Sequence, residues 1–251
     1  MTLDLIRYTA LEEELYARFP EAKAETEQLI AEMVDPRSAG PDEIWPVLWS
    51  KPLYSNTRDE IGTRYVEKLR PLMQGTWLQW GHDEHAFRIT LSGKGRKADA
   101  FYATGAAQAV QNATGIAWWR LHAIQGGATA LRRRTGLSEK PYADLVAAPL
   151  SLSVQIVRAE MGKWWGHITA LHFLTDLGLA VKPDLHLVRS VRFLGMGDQI
   201  KAAAVPSPDD SIRINEAVRN LAYKLVKHDD PKTLRRVDKN LMAISKYGLL
   251  I

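Results

Sequence analysis

MGKWWGHITALHFLTDLGLAVKPDLHLVRSVRFLG, residues 161–195, decides how the rest of the chain is read. Gly162 and Gly166 bracket a tight turn, where a backbone without Cβ can take left-handed angles or approach a ligand closely. Ile168, Leu171, Leu174 and Leu177 then recur at helical spacing, and Gly178 is placed to cap the C-terminus of that helix. Pro183 disfavours a helical conformation at Lys182. Asp184 is a good N-cap type for a second helix over Leu185–Leu194. The stretch predicts a turn, an apolar helix, a short loop and a helix opened by an aspartate.

Two motifs in this order carry a resemblance. Gly166-His167-Ile168-Thr169-Ala170 is the first, and Asp184-Leu185-His186-Leu187-Val188-Arg189 is the second. Together they resemble the helix-hairpin-helix DNA glycosylases. That family has a Leu-Pro-Gly-any-Gly turn followed after two residues by Thr-Ala, and an aspartate in an Asp-any-His-any-any-Arg run. Gly162-Lys163-Trp164-Trp165 departs from the first half of the turn. The resemblance is clear over Tyr142–Gly195 and fainter elsewhere. It implies a mostly α protein with the helix-hairpin-helix glycosylase fold, a single domain over 1–251 in two helical subdomains. It also implies that Asp184 is catalytic. The DNA contacts would come from Gly162, Lys163, Trp164 and Gly166 of the turn and from His186 and Arg189 of the following helix. Family members that also cut the strand carry a lysine two residues after the second hairpin glycine. Ile168 stands there, which implies a monofunctional enzyme that uses water.

Composition bounds these expectations. The chain has 251 residues, 46% hydrophobic and 25% charged, enough for one large or two small domains with a proper core. It has no cysteine, so disulfides and cysteine-ligated zinc or iron–sulfur sites are excluded. No cofactor or metal is expected. A net charge of +4 and a pI near 9.2 permit an anionic partner such as double-stranded DNA without requiring one. No apolar run approaches membrane-span length, and the N-terminal residues are acidic early with no signal-like core. A cytoplasmic monomer with no membrane partner is the expectation. The eight tryptophans fall in near-pairs: Trp45/Trp49, Trp77/Trp80, Trp118/Trp119 and Trp164/Trp165. Adjacent residues on a helix do not share a face, so one of each adjacent pair is free to point at a cleft or at solvent.

Outside the central stretch, helices are predicted over Leu3–Phe19, Ala22–Met33, Glu43–Trp49 and Thr57–Met73. A small β-hairpin insertion is predicted over about 77–105. Its strands are Trp77–Trp80, Ala86–Leu91 and Ala98–Tyr102, and its turn is Ser92–Lys97. Lys94, Arg96 and Lys97 at the tip read as a solvated turn or as phosphate contacts. Gly105–Thr135 reads as helical with interruptions at Gly115 and Gly126-Gly127. It ends in Arg132-Arg133-Arg134, either complementing the helix C-terminus or meeting DNA. Pro141–Ala147 and Leu150–Met161 are helices feeding the turn. A polar loop over Ala204–Asp210 precedes helices over Ser211–Val226 and Pro231–Ser245.

N-glycosidic cleavage passes through a cation-like sugar, which an ionised carboxylate near the anomeric carbon can stabilise. A helix N-terminus favours that negative charge. By spacing alone Asp184 reads first as a plain N-cap, and only the resemblance makes it the catalytic residue; a plain helix–helix corner would use the same glycines as the turn. Arg189 is expected to pair with Asp176 or Asp238, and His186 is either a structural histidine or a DNA contact. A duplex hides the bond, so the nucleotide must flip into a pocket. Trp165, Trp49, Tyr54 and Trp118 are the candidates for its walls, with core packing as the alternative for each. Trp49-Ser50-Lys51-Pro52 stands where the family has a serine-containing pocket segment. Two substrate classes stay open: repair lesions, and modified phage bases such as glucosylated hydroxymethylcytosine. A non-catalytic DNA-binding protein that keeps the hairpin is the rival reading.

Overall fold

The computed structural model describes residues 2–81, 86–197, 199–201 and 205–250. Helices dominate, with one two-stranded antiparallel sheet among the described residues. In chain order the helices are α1 (Leu3–Arg18), α2 (Pro20–Ala31), α3 (Pro41–Tyr54), α4 (Asp59–Met73) and α5 (Trp77–Gly81). Strands β1 (Ile89–Ser92) and β2 (Asp99–Ala103) follow. After them come α6 (Gly105–Thr114), α7 (Trp118–Thr135), α8 (Leu150–Met161), α9 (His167–Asp176), α10 (Leu185–Phe193), α11 (Pro208–Val226) and α12 (Pro231–Lys246). The chain divides into two compact units. One joins Met1–Met33 to Leu174–Ile251, and the other is Val34–Phe173.

The discontinuous unit is built on α12. Leu234, Val237 and Leu241 repeat at helical spacing and pack with Leu5 and Tyr8 of α1, Leu187, Val188 and Val191 of α10, and Ile214, Val218 and Leu221 of α11. Asn240, fully buried on the same helix, donates to Tyr8 Oη at 3.2 Å and to Glu12 Oε1 at 2.6 Å. Its amide oxygen accepts from Tyr16 Oη at 2.9 Å. A buried amide satisfied on both sides fixes how α1 lies on α12, because a shift would strand several polar groups at once.

The continuous unit is built on α7, whose Leu121, Ile124, Ala128 and Leu131 are buried with Ile44, Trp45 and Leu48 of α3. Gly126 and Gly127 lie inside α7 and do not interrupt it, contrary to the expectation. A Cβ at Gly126 would stand 2.3 Å from the Met161 carbonyl oxygen, and one at Gly127 2.3 Å from Leu48 Cδ2. These glycines let the end of α8 and the side of α3 approach the α7 backbone. The break expected at Gly115 is present: it caps α6 in the left-handed region at φ +66°.

Trp77–Trp80 forms α5, not a strand. Trp77 and Trp80, three residues apart, are both buried, and the Trp77 indole donates to Asp42 Oδ1 at 2.7 Å. Gly81 lets the helix end meet the Ala128 carbonyl, to which a Cβ would stand 2.6 Å away. The insertion is therefore a single hairpin of β1 and β2. Pro141–Ala147 holds only a short 3-10 turn at Ala143–Val146. The first helix stops at Arg18, because Pro20 opens α2 at its first position. Residues 208–210, expected in a loop, are the first turn of α11, capped by Ser207 and led by Pro208. Residues 82–85 of the insertion and Ala204 of that loop lie outside the described residues. No helix among the described residues is long and apolar enough to cross a membrane.

Candidate functional site

In the continuous unit α8 ends at Gly162, which takes φ +81° and ψ −155°, a region that glycine alone enters easily. Trp165 N donates to the Gly162 carbonyl at 3.2 Å, closing the turn, and Ala170 N donates to the Gly166 carbonyl at 3.0 Å, starting α9. Thr169 and Ala170 are buried, as small packing residues should be.

The paired tryptophans have different surroundings. Trp165 is buried, its indole N–H donating to the Ala123 carbonyl at 2.9 Å and its ring standing edge-on to Phe173. Trp164 is half-buried and sits at φ +144°, a strained angle for a residue with a side chain. Its ring lies 5.7 Å from that of Trp119, and the Lys163 ammonium stands 4.9 Å from its centroid. Its indole nitrogen is buried without a hydrogen-bond partner among the described residues. Arg96, from the turn between β1 and β2, stands 5.9 Å from the Trp119 ring. Arg120 stacks on the same ring at 4.4 Å and donates to the Pro52 and Leu53 carbonyls at 2.7 and 2.5 Å. Burial, then the nearby Lys163 charge, hold the His122 imidazole below its ordinary pKa.

Lys163, Trp164, Trp119 and Arg96 thus form one aromatic and cationic cluster, joining the helical turn to the β-hairpin. Cations with aromatic faces are what a nucleic-acid strand requires: charge for phosphate and a flat surface for bases. Sequence reasoning points to Lys163, Trp164 and Arg96. Trp119, not the neighbouring base-pocket candidate Trp118, lies in this cluster, and Arg120 and His122 beside it carry no signal in the sequence. The adjacent tryptophans are the available signal, but which one faces the turn depends on the phase of α7. Lys94 is exposed at the hairpin tip. Trp49 is buried, and the Tyr54 ring lies against Gly62 and edge-on to His172 at 5.7 Å. Burial of Trp49 and Trp165 is what core packing predicts. The arginine run is largely structural: Arg134 pairs with Glu160 at 2.6 Å and Asp144 at 2.7 Å, and Arg132 donates to the Gly81 carbonyl.

Asp184 belongs to the discontinuous unit. Its backbone is extended, its Oδ1 accepts from Leu187 N at 2.9 Å, and its carbonyl accepts from Val188 N at 2.9 Å. It is the N-cap of α10 and is partly exposed. The preceding helix ends as expected: Gly178 takes φ +70°, with Leu179 N donating to the Leu174 carbonyl at 2.9 Å.

Asp184 has a charged neighbourhood. Asp238 of α12 is 1% exposed, and burial pushes its carboxyl up to about 6. Arg235 and Lys239 pull the other way, while the Asp184 charge adds to the rise. Arg235 bridges Asp238 Oδ2 at 3.1 Å and Asp176 Oδ1 at 2.9 Å. Asp238 Oδ1 and Arg235 Nε have no hydrogen-bond partner among the described residues. Burial likewise lowers the Lys239 pKa. Arg235 is therefore a partner of both Asp176 and Asp238. Arg189, expected there, is exposed on the solvent side of α10. The reason is helical phase: Val188 and Ser190 take the inward positions. His186 Nδ1 lies 3.2 Å from Ser245 Oγ, a contact that orients its ring.

Among the described residues no cluster of three or more His, Cys, Asp or Glu is placed to hold a metal ion. Comparisons of the chain with protein-family models, curated proteins and solved structures give no match.

Proposed function

We propose that this chain is a monofunctional DNA glycosylase, with Asp184 as its catalytic carboxylate and the Gly162–Gly166 turn as a phosphate contact. The observation that carries the reading is the placement of Asp184: a partly exposed carboxylate held at the N-terminus of α10 by the Leu187 amide. It follows a glycine-bounded turn, a helix and a glycine-capped loop in the order that the resemblance requires. The positive end of the helix supports the carboxylate anion. In the reaction the bond from C1′ to the base nitrogen breaks, and the bonding pair leaves with the base. The sugar becomes cation-like, and Asp184 stabilises that charge. Water then adds to C1′ and yields a proton to the carboxylate, leaving an abasic site. Ile168 at the position of the family lysine argues against a Schiff base and strand cleavage.

One observation favours the rival, a DNA-binding protein without catalysis: Asp184 already serves as an ordinary helix cap. The test uses Asp184→Asn, because asparagine caps a helix about as well as aspartate and stability should change by less than about 0.5 kcal/mol. Bases released from undamaged, alkylated, deaminated and glucosylated-hydroxymethylcytosine DNA are identified by mass spectrometry. The expected result is one released base, with the variant slower by about 100-fold or more. Release that persists undiminished in the variant refutes the role of Asp184. Binding with no release from any substrate favours the rival.

A further inference from the structure

The β-hairpin carries two neighbouring aromatics turned outward, and their arrangement has a cause in the backbone. Ile89 pairs with Ala103, Thr90 with Tyr102, Leu91 with Ala100 and Ser92 with Asp99. One step along β1 therefore spans two residues of β2, and Phe101 is the extra one. Residues along a regular strand alternate between faces, so one of two neighbours should be turned inward. A β-bulge breaks that alternation and re-aims side chains. Here Phe101 is 79% exposed and Tyr102 48% exposed, while Ala100 and Ala103 on either side are less so. An exposed phenylalanine on a two-stranded edge is an aggregation hazard that proteins ordinarily avoid.

The charge around these rings identifies what covers them. Between Arg88 and Ala103 the basic residues are Arg88, Lys94, Arg96 and Lys97, against the single acid Asp99. The Arg88 guanidinium lies 5.9 Å from the Tyr102 ring. Arg96 reaches the Trp119 ring, so the hairpin is continuous with the cluster at the helical turn. Flat apolar faces beside cations are complementary to unstacked bases beside phosphates.

We propose that the β1–β2 hairpin is a nucleic-acid-binding arm, on which Phe101 and Tyr102 stack unpaired bases while Lys94, Arg96 and Lys97 hold the flanking phosphates. The identity of the nucleic acid as DNA rests on the glycosylase reading; the stacking chemistry does not. An arm of this kind would favour a strand with unpaired bases over an intact duplex.

The experiment is fluorescence anisotropy of the full chain with a lesion-free, mixed-sequence single-stranded DNA oligonucleotide. Phe101→Ala should raise Kd on the order of tenfold, and Phe101→Trp should restore it, because stacking tolerates a change of ring. Arg96→Ala should lower the dependence of log Kd on log salt by about one phosphate contact. Phe101 is so exposed that its truncation should leave the circular-dichroism melt unchanged. Wild-type and Phe101→Ala Kd values within twofold overturn the proposal, as does absence of binding by the wild type. Phe101-dependent binding without base release from any substrate supports the arm and sinks the glycosylase reading. Asp184-dependent release with Phe101-independent binding does the reverse.

Discussion

Asp238→Asn should remove a pH-dependent loss of stability from the discontinuous unit. Asp238 is 1% exposed, and its Oδ1 has no hydrogen-bond donor among the described residues. Burial outweighs the Arg235 contact and moves its pKa from the usual 3.8 to about 6. The folded state therefore binds this proton more tightly than the unfolded chain does. The resulting stabilisation is fully present below the unfolded value and is lost as pH rises through the folded one. A rise of roughly two in pKa corresponds to about 3 kcal/mol lost between about pH 4 and about pH 7. Asparagine has the same shape and can still accept from Arg235, but it cannot ionise. The stability of wild type minus variant should fall by about 3 kcal/mol across that window, while any fixed cost of the amide cancels in the difference. Urea unfolding at several pH values measures it. Far-UV circular dichroism, which reports the helices of both units, is the readout. A difference flat to within about 0.5 kcal/mol would refute the claim that an ionised Asp238 is costly here.

Two further substitutions test the packing behind the turn. Gly162→Ala would place a Cβ with nothing within 4 Å among the described residues beyond its chain neighbours, so its cost is backbone strain at φ +81°. Thermal unfolding should show about 1–3 kcal/mol of destabilisation, and a neutral result would mean that the turn relaxes. Gly126→Ala places a Cβ 2.3 Å from the Met161 carbonyl oxygen, which is backbone and cannot rotate away. A loss of about 1–3 kcal/mol is expected by urea unfolding, against the gain of about 1 kcal/mol that alanine brings to an unconstrained helix.

The features legible in the sequence are those fixed by local chemistry. Gly115 and Gly178 end helices because a left-handed residue without Cβ must stand there, and Asp184 opens α10 because its carboxylate reaches a free amide. Nothing local distinguishes a glycine that breaks a helix from one that lets another chain segment approach it. Gly126 and Gly127 mislead for that reason; the deciding partners, Met161 and Leu48, are far away in sequence. Trp77–Trp80 misleads differently, since four residues cannot separate a period of two from one of 3.6. The bulge at Phe101 depends on register between strands, which no single strand encodes. Arg235 escapes notice as the partner of Asp176 and Asp238 because which arginine faces inward depends on the phase of two helices at once.

The turn from Gly162 to Gly166 gains a physical reading from its strain. Gly162-Lys163-Trp164-Trp165 lacks the proline that would stiffen such a turn by fixing φ. Here Trp165 stiffens it by burial: its ring is in the core and its indole is tied to Ala123. With Trp165 inward and its amide bonded to the Gly162 carbonyl, Trp164 packs elsewhere, beside Trp119, and the geometry costs it an angle of +144°. Such an angle costs about 1–3 kcal/mol and persists only where surrounding contacts over-determine it. A turn whose sole task was to join α8 to α9 could hold glycine at 164, as it does at 162, and avoid that cost. Tryptophan at 164 instead holds an aromatic face against Trp119 and beneath Lys163. Strain accepted in order to hold a ring beside a cation is what the nucleic-acid contact proposed for this turn would account for.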